Sequence, residues 1–189
     1  MPPKVKITKE DIVTTALELV RRQGEGALNA RSIATALSCS TQPVFSNFAT
    51  MEELRGAVLS DAYDHYLGFL EREAANGAYP QYKAFGMAYI RFAKEERELF
   101  RLLFMRDRHG EDLTPTPDFE ASVEIIMKAN GISREAARSI HMEMWACVHG
   151  IAAMMATSFL ALEWDTISQM LSDVYQGIRA LYQGKGNAE

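Results

Sequence analysis

Apolar residues recur at helical spacing along nearly the whole chain, and no segment keeps the strict alternation of a half-buried strand. That regularity restricts the fold to packed helices. Thr8, with Asp11 three residues on, is placed to cap a first helix whose face carries Ile12, Val13, Ala16, Leu17 and Val20, and Gly24 and Gly26 end it. Asn29 caps a short second helix with Ile33, Ala34 and Leu37 as its apolar side. Ser38-Cys39-Ser40 reads as a tight turn, and Ser40 caps a third helix starting at Thr41, with Pro43 in its first turn and Val44, Phe45 and Phe48 on its buried side. A long helix spans Met51 to Ala75, and Asn76-Gly77 breaks it. A fifth follows Pro80 with the stripe Tyr82, Phe85, Tyr89, Phe92. A shorter one covers Glu95 to Met105, a loop covers Arg106 to Pro117, and a helix covers Asp118 to Ala129 before Asn130-Gly131. Ser133 caps an eighth helix, and the last runs from Trp164 to Tyr182. The expected fold class is all-α, about nine helices, with no internal repeat.

The formal net charge is −5, which is unusual for a nucleic-acid binder until its distribution is considered. Residues 1–56 carry seven Lys/Arg (Lys4, Lys6, Lys9, Arg21, Arg22, Arg31, Arg55) against six acids, and residues 57–189 carry thirteen against nineteen. The N-terminal part is therefore slightly basic and the remainder acidic, which fits a nucleic-acid contact confined to the first part. No run of about eighteen apolar residues exists, and the opening MPPKVKITKED lacks the apolar core of a signal peptide, so a cytoplasmic protein without a membrane span is expected. Cys39 and Cys147 are far apart and lack metal-ligand spacing, so neither a disulfide nor a metal site is expected. Cys39, in the turn, is read as a small filler.

The second helix, the three-residue turn and the third helix make a helix-turn-helix pattern. Such a unit can lay its second helix in a major groove, with the N-terminal residues at base edges. Thr41 and Gln42 occupy that end. Gln pairs bidentately with adenine, and Thr offers a hydroxyl or touches a thymine methyl. Arg31, in the first turn of the second helix, is placed to meet phosphate. The same pattern also serves as a plain helical hairpin burying Leu37 and Phe48, so spacing alone leaves both readings open.

The stretch LNARSIATALSCSTQPVFSNFATMEEL, Leu28 to Leu54, resembles the N-terminal signature of the TetR family of transcriptional regulators. The resemblance lies in the polar cap before Arg31-Ser32-Ile33-Ala34, in Ser40, in the aromatic Phe45, in Phe48, and in Glu52-Glu53 before Leu54. Ile12, Ala16, Leu19 and Gly24 fit the first helix of that family. It implies a DNA-binding domain over 1–50 and a helical ligand-binding and dimerisation domain over 51–189. The residues it assigns to DNA are Arg31, Ser32, Ser40, Thr41, Gln42, Pro43, Phe45 and Asn47, with Arg31 and Asn47 on phosphate. The chain departs from the family where Phe45 replaces a usual Tyr, Asn47 a usual His, Met51 a usual Lys and Ser38 a usual turn Gly. Lys4, Lys6 and Lys9 form an arm that can compensate for the missing Lys. Trp145-Ala-Cys-Val-His149-Gly150 resembles the Trp-x-x-x-His-Gly element of one subfamily of TetR C-terminal domains.

The resemblance implies a repressor that binds a palindromic operator as a homodimer and is released by a small hydrophobic or amphipathic effector. The expected dimer surface comes from pattern as well. Met144, Val148, Ile151, Met155 and Phe159 form a bulky face of the eighth helix, opposite the small residues Ala146, Gly150, Ala153, Thr157 and Ala161. A helix apolar on two sides must be covered on two sides. A buried central helix of a monomer satisfies that, and so does a partner subunit. Trp164, Ile167, Leu171, Val174, Ile178 and Leu181 mark a packing seam on the last helix. The interface is assigned to Gly150, Ala153, Thr157, Ile167, Leu171, Val174 and Ile178.

The C-terminal part is rich in Met and aromatic residues, which suit either a plain core or an adaptable pocket. Tyr89, Phe92, Phe104, Met127, Met144, Trp145 and His149 are assigned to the effector, with His149 donating to the ligand or to a backbone carbonyl. His141 and His149 are about 12 Å apart along a helix and cannot share one metal. No phosphate-binding Gly-rich loop or nucleophile elbow argues for an enzyme, and no cofactor is implied. Glu95, Glu96 and Glu98 with Arg91, Lys94, Arg97 and Arg101 read as a salt-bridged helix face. The competing classes are an enzyme, to be recognised by turnover, and a helical interaction module with a vestigial helix-turn-helix, to be recognised by the lack of salt-dependent DNA binding.

Overall fold

A computed structural model describes residues 7–110 and 116–185, with side chains to residue 182. Among the described residues there are nine α-helices and no strand. They are α1 (Lys9–Gln23), α2 (Ala30–Ala36), α3 (Gln42–Asn47), α4 (Met51–Ala75), α5 (Gln81–Glu95), α6 (Arg97–Phe104), α7 (Pro117–Asn130), α8 (Arg134–Ala156) and α9 (Trp164–Lys185). Residues 111–115 of the expected loop, Lys4 and Lys6 lie outside the described residues.

The starts of α1, α2 and α8 follow from their caps. Thr8 Oγ1 accepts the Asp11 N–H at 3.1 Å while Asp11 accepts the Thr8 N–H at 2.9 Å. Asn29 Oδ1 accepts from Ser32 N–H at 2.9 Å, and Ser133 Oγ from Ala136 N–H at 3.2 Å. Each bond satisfies a donor that the helix cannot use internally. The start of α3 differs from expectation. Thr41 already has helical dihedrals (φ −71°, ψ −11°) at the cap position, and no side chain caps this start. Gly24 ends α1 at φ +80°, and a Cβ there would come within 2.9 Å of the Glu98 carboxylate. Ser38 turns the chain between α2 and α3 at φ +52°.

The described chain divides into two compact units. The first comprises residues up to Tyr66 together with Glu96–Arg106, so α6 belongs with the first three helices and the start of α4 rather than with its sequence neighbours. A cut by compactness falls inside α4. The core of this unit is Ile12, Val13, Ala16 and Val20 of α1, Ile33 and Ala34 of α2, Val44 and Phe48, Leu54 and Val58 of α4, and Leu99, Phe100, Leu102 and Leu103 of α6.

The second unit comprises Leu67–Glu95 and the chain from Asp107 onward. Its buried residues include Met87, Ile90 and Phe92 of α5, Val123 and Ile126 of α7, Ile140, Met144, Val148, Ile151 and Met155 of α8, and Ile167 and Leu171 of α9. The bulky face expected on α8 is thus its inner face as far as Met155. Phe159 is a correction. The helix stops at Ala156, Ser158 turns at φ +56°, and Phe159 is 81% exposed.

Candidate nucleic-acid interface

On α3 the side chains divide by face. Val44 is buried, as is Phe48 just past the helix, while Thr41, Gln42, Phe45 and Ser46 are exposed. Ser40 and Arg31 are exposed as well, and Ser32 and Pro43 are half-buried. Phe45, expected on the buried side by periodicity, lies outward with Thr41 and Gln42, because residues three and four apart share a helix face. Ser46 Oγ donates back to the Gln42 carbonyl at 2.9 Å.

Asn47 is half-buried at the end of α3. Its Nδ2 donates to the Pro43 carbonyl one turn back on α3 at 2.8 Å, and to the Ile7 carbonyl at 3.4 Å, the latter tying the end of α3 to the start of the described chain. Lys9 is also engaged within its unit. Its ammonium lies 3.1 Å from Glu53 and 4.9 Å from the Phe48 ring centroid. Glu53 in turn accepts the Ala49 N–H, and this bond and Lys9 hold its carboxyl below the ordinary value. Arg31 has no ion-pair partner among the described residues.

A partly buried charge network crosses the first unit. Arg21 forks onto Glu96, Nε at 2.9 Å and Nη2 at 2.5 Å, and the same carboxylate lies 3.3 Å from His65 Nε2. Burial raises the Glu96 carboxyl, but the hydrogen bond and charge of Arg21 and the contact with His65 outweigh it, and the carboxyl lies below its ordinary value. Of the expected salt-bridged face, the Glu98–Arg101 pair forms, while Glu96 reaches across to Arg21 and Arg91 pairs with Glu73 of α4. Helical spacing discloses only pairs on one helix, so these longer-range partners had no sequence signal.

In the second unit the structure brings Tyr89, Trp145 and His149 together. Tyr89 Oη and His149 Nδ1 are 2.9 Å apart, and the Trp145 and His149 rings stack at 5.0 Å with planes 19° apart. His149 Nδ1 therefore meets the Tyr89 phenol. Burial raises the Tyr89 phenol and lowers the His149 imidazole, which keeps both neutral. Tyr82 and His141 form a second such couple at 2.9 Å, and burial brings the His141 pKa down to about 4. Trp145 remains 41% exposed, Met127 is half-buried, and Phe92 and Met144 are core residues. Phe104 lies in the first unit, against Tyr66 and Phe100.

The small residues of α8 are placed differently from the seam of α9. Gly150 and Thr157 are exposed, and Ala153 is half-buried. Ile167 and Leu171 are buried within their own unit, while Val174 and Ile178 are half-buried. No helix of the described residues is long and apolar enough to cross a membrane, and none of their His, Cys, Asp and Glu side chains form a group fit to hold a metal.

The family model of the tetracyclin repressor-like C-terminal domain matches residues 82–174. A curated protein, an uncharacterised HTH-type transcriptional regulator of Mycobacterium tuberculosis, is 24% identical over 159 residues, covering 82% of this chain and 73% of that protein. A solved structure of a TetR-family member from Streptomyces coelicolor A3 has a similar fold, with a TM-score of 0.64 and 14% identity over 88% of this chain and 96% of that one. The all-helical architecture, the helix-turn-helix and these likenesses agree, and the chain belongs to the TetR family of transcriptional regulators.

Proposed function

We propose that this regulator is a repressor that binds a near-palindromic operator as a homodimer and releases it when a small hydrophobic or amphipathic molecule binds the second unit. The observation that carries the reading is the division of α3. Its apolar side chain Val44 anchors the helix, while Thr41 and Gln42, residue types suited to base edges, stand exposed. A two-fold protein reads a two-fold site, so half-sites in inverted repeat follow from the homodimer. The effector reading is supported by the partly exposed Trp145 stacked on His149 beside Tyr89, an apolar surface with neutral polar groups. Release requires that the effector bind more tightly to a state that holds the operator poorly, because a ligand with equal affinity for both states shifts nothing.

The test is selection of bound fragments from a random duplex library with the purified full chain. An inverted repeat is expected. Recovery of no sequence above the library background, with salt-insensitive or absent binding, would overturn the reading in favour of an interaction module.

A further inference from the structure

Phe45 is 55% exposed on α3, three residues from Gln42 and four from Thr41, so its ring shares their outward face. The polar groups around it are already in use. The Ser46 hydroxyl is bonded to the Gln42 carbonyl, and the Asn47 amide is turned inward to Pro43 and Ile7. What α3 presents beyond Gln42 is therefore an apolar ring. A phenyl group offers no donor to a phosphate oxygen, and pressing it on the charged backbone would desolvate phosphate without compensation. The major groove presents one apolar group at base edges, the C5-methyl of thymine.

We propose that Phe45 is a specificity-determining residue that packs on the methyl group of one thymine in each half-site. The inference rests on the proposed reading of DNA by α3. Three residues advance about 4.5 Å along a helix, a little more than the roughly 3.4 Å rise of one base step. The thymine therefore lies within one or two base pairs of the pair that Gln42 reads.

Replacing thymine by deoxyuridine removes only the methyl group and keeps the base pair. The experiment takes the inverted repeat selected by the full chain and replaces each thymine in turn, symmetrically in both half-sites. For the unsubstituted protein, one position is expected to weaken binding roughly fourfold per half-site, the effect of one buried methyl. Phe45→Ala should bind the thymine and uracil duplexes equally, and Phe45→Leu should keep part of the preference. Phe45 is exposed, so an unchanged melting midpoint is expected for both variants. If the unsubstituted protein selects a sequence yet no thymine position responds, or if Phe45→Ala keeps the methyl preference, the assignment of Phe45 is overturned while the DNA reading stands. If the protein selects no sequence at all, the underlying reading fails and the Phe45 assignment fails with it.

Discussion

The Tyr89 hydroxyl is bonded to His149 Nδ1 at 2.9 Å, and two helical turns away on both helices Tyr82 and His141 repeat the couple at the same distance. The α5–α8 seam is thus an apolar contact crossed by two neutral phenol–imidazole pairs. Tyr89→Phe removes the hydroxyl that meets His149 Nδ1, and a net loss of about 1 kcal/mol is expected. A lowered urea midpoint with unchanged slope would show it, and an unchanged midpoint would mean the pair contributes nothing.

His141 gives this seam a pH dependence. Its pKa lies at about 4, lowered by burial although Asp118 and Glu120 act the other way. A histidine whose folded pKa lies below its unfolded value binds fewer protons folded than unfolded, so stability rises with pH between the two values. As pH falls from 6.5 toward 4, His141 should lower stability, by at most about 1.4 kcal/mol per pH unit for one proton. Comparing unfolding free energies of the unmodified protein and His141→Phe across that window isolates the effect. The variant should show the shallower pH profile, and parallel profiles would contradict the assignment.

How far the sequence disclosed this arrangement depended on the range of the interaction. The caps at Thr8, Asn29 and Ser133 act within three residues, and the bounds of α4 and the inner face of α8 follow from periodicity, so all were legible. Tyr89 lies 60 residues from His149, Arg21 75 from Glu96 and Ile7 40 from Asn47, and no spacing rule reaches these partners. Phe45 and Phe159 failed for another reason. Hydrophobicity predicts burial, and each is an apolar residue left in the open, Phe45 on the exposed face of a short helix and Phe159 beyond a helix end.

The Arg21–Glu96 fork should be worth more than an exposed ion pair, because the Glu96 side chain is only 15% exposed. Arg21→Leu leaves that carboxylate without its guanidinium and should cost roughly 1–3 kcal/mol. Adding Glu96→Gln should recover much of the loss, since removing both charges is far less costly than removing one. Because Glu96 lies below its ordinary pKa, the stabilisation should be complete above about pH 4.5 and fade as pH falls through the folded value. Urea unfolding of the two single variants and the double variant gives the coupling directly, and additive losses would refute it.

Gly150 provides a clean test of the proposed dimer. A Cβ at this position would meet nothing within 4 Å, so a larger side chain fits the protomer without displacing its core. If the small face of α8 meets a second copy, Gly150→Arg should convert the dimer to a folded monomer. Sedimentation at micromolar concentration should show that change with the melting behaviour of a folded chain. A dimer that survives the substitution places the interface elsewhere, and an unmodified protein already monomeric at that concentration removes the dimer from the proposal.

The reading of DNA is tested by separating base from phosphate contacts. Losing a good bidentate base contact costs roughly 1–3 kcal/mol of discrimination at one position. Losing a charged phosphate contact weakens all sequences alike and lowers the salt slope by about one. Gln42→Ala should therefore relax one base pair in each half-site and leave the salt slope unchanged, whereas Arg31→Ala should do the reverse. Asn47→Ala should behave like neither. Its amide is spent on the Pro43 and Ile7 carbonyls, so the change should lower thermal stability, by about 1 kcal/mol for the lost bonds, without moving the salt slope. Met51→Lys adds a cation at the start of α4. It should tighten binding to operator and to random duplex together and steepen the salt dependence. If Gln42→Ala instead weakens every sequence equally while Arg31→Ala alters base preference, α3 is docked differently from the arrangement proposed here. If none of these positions affects binding, the helix-turn-helix is not the reader.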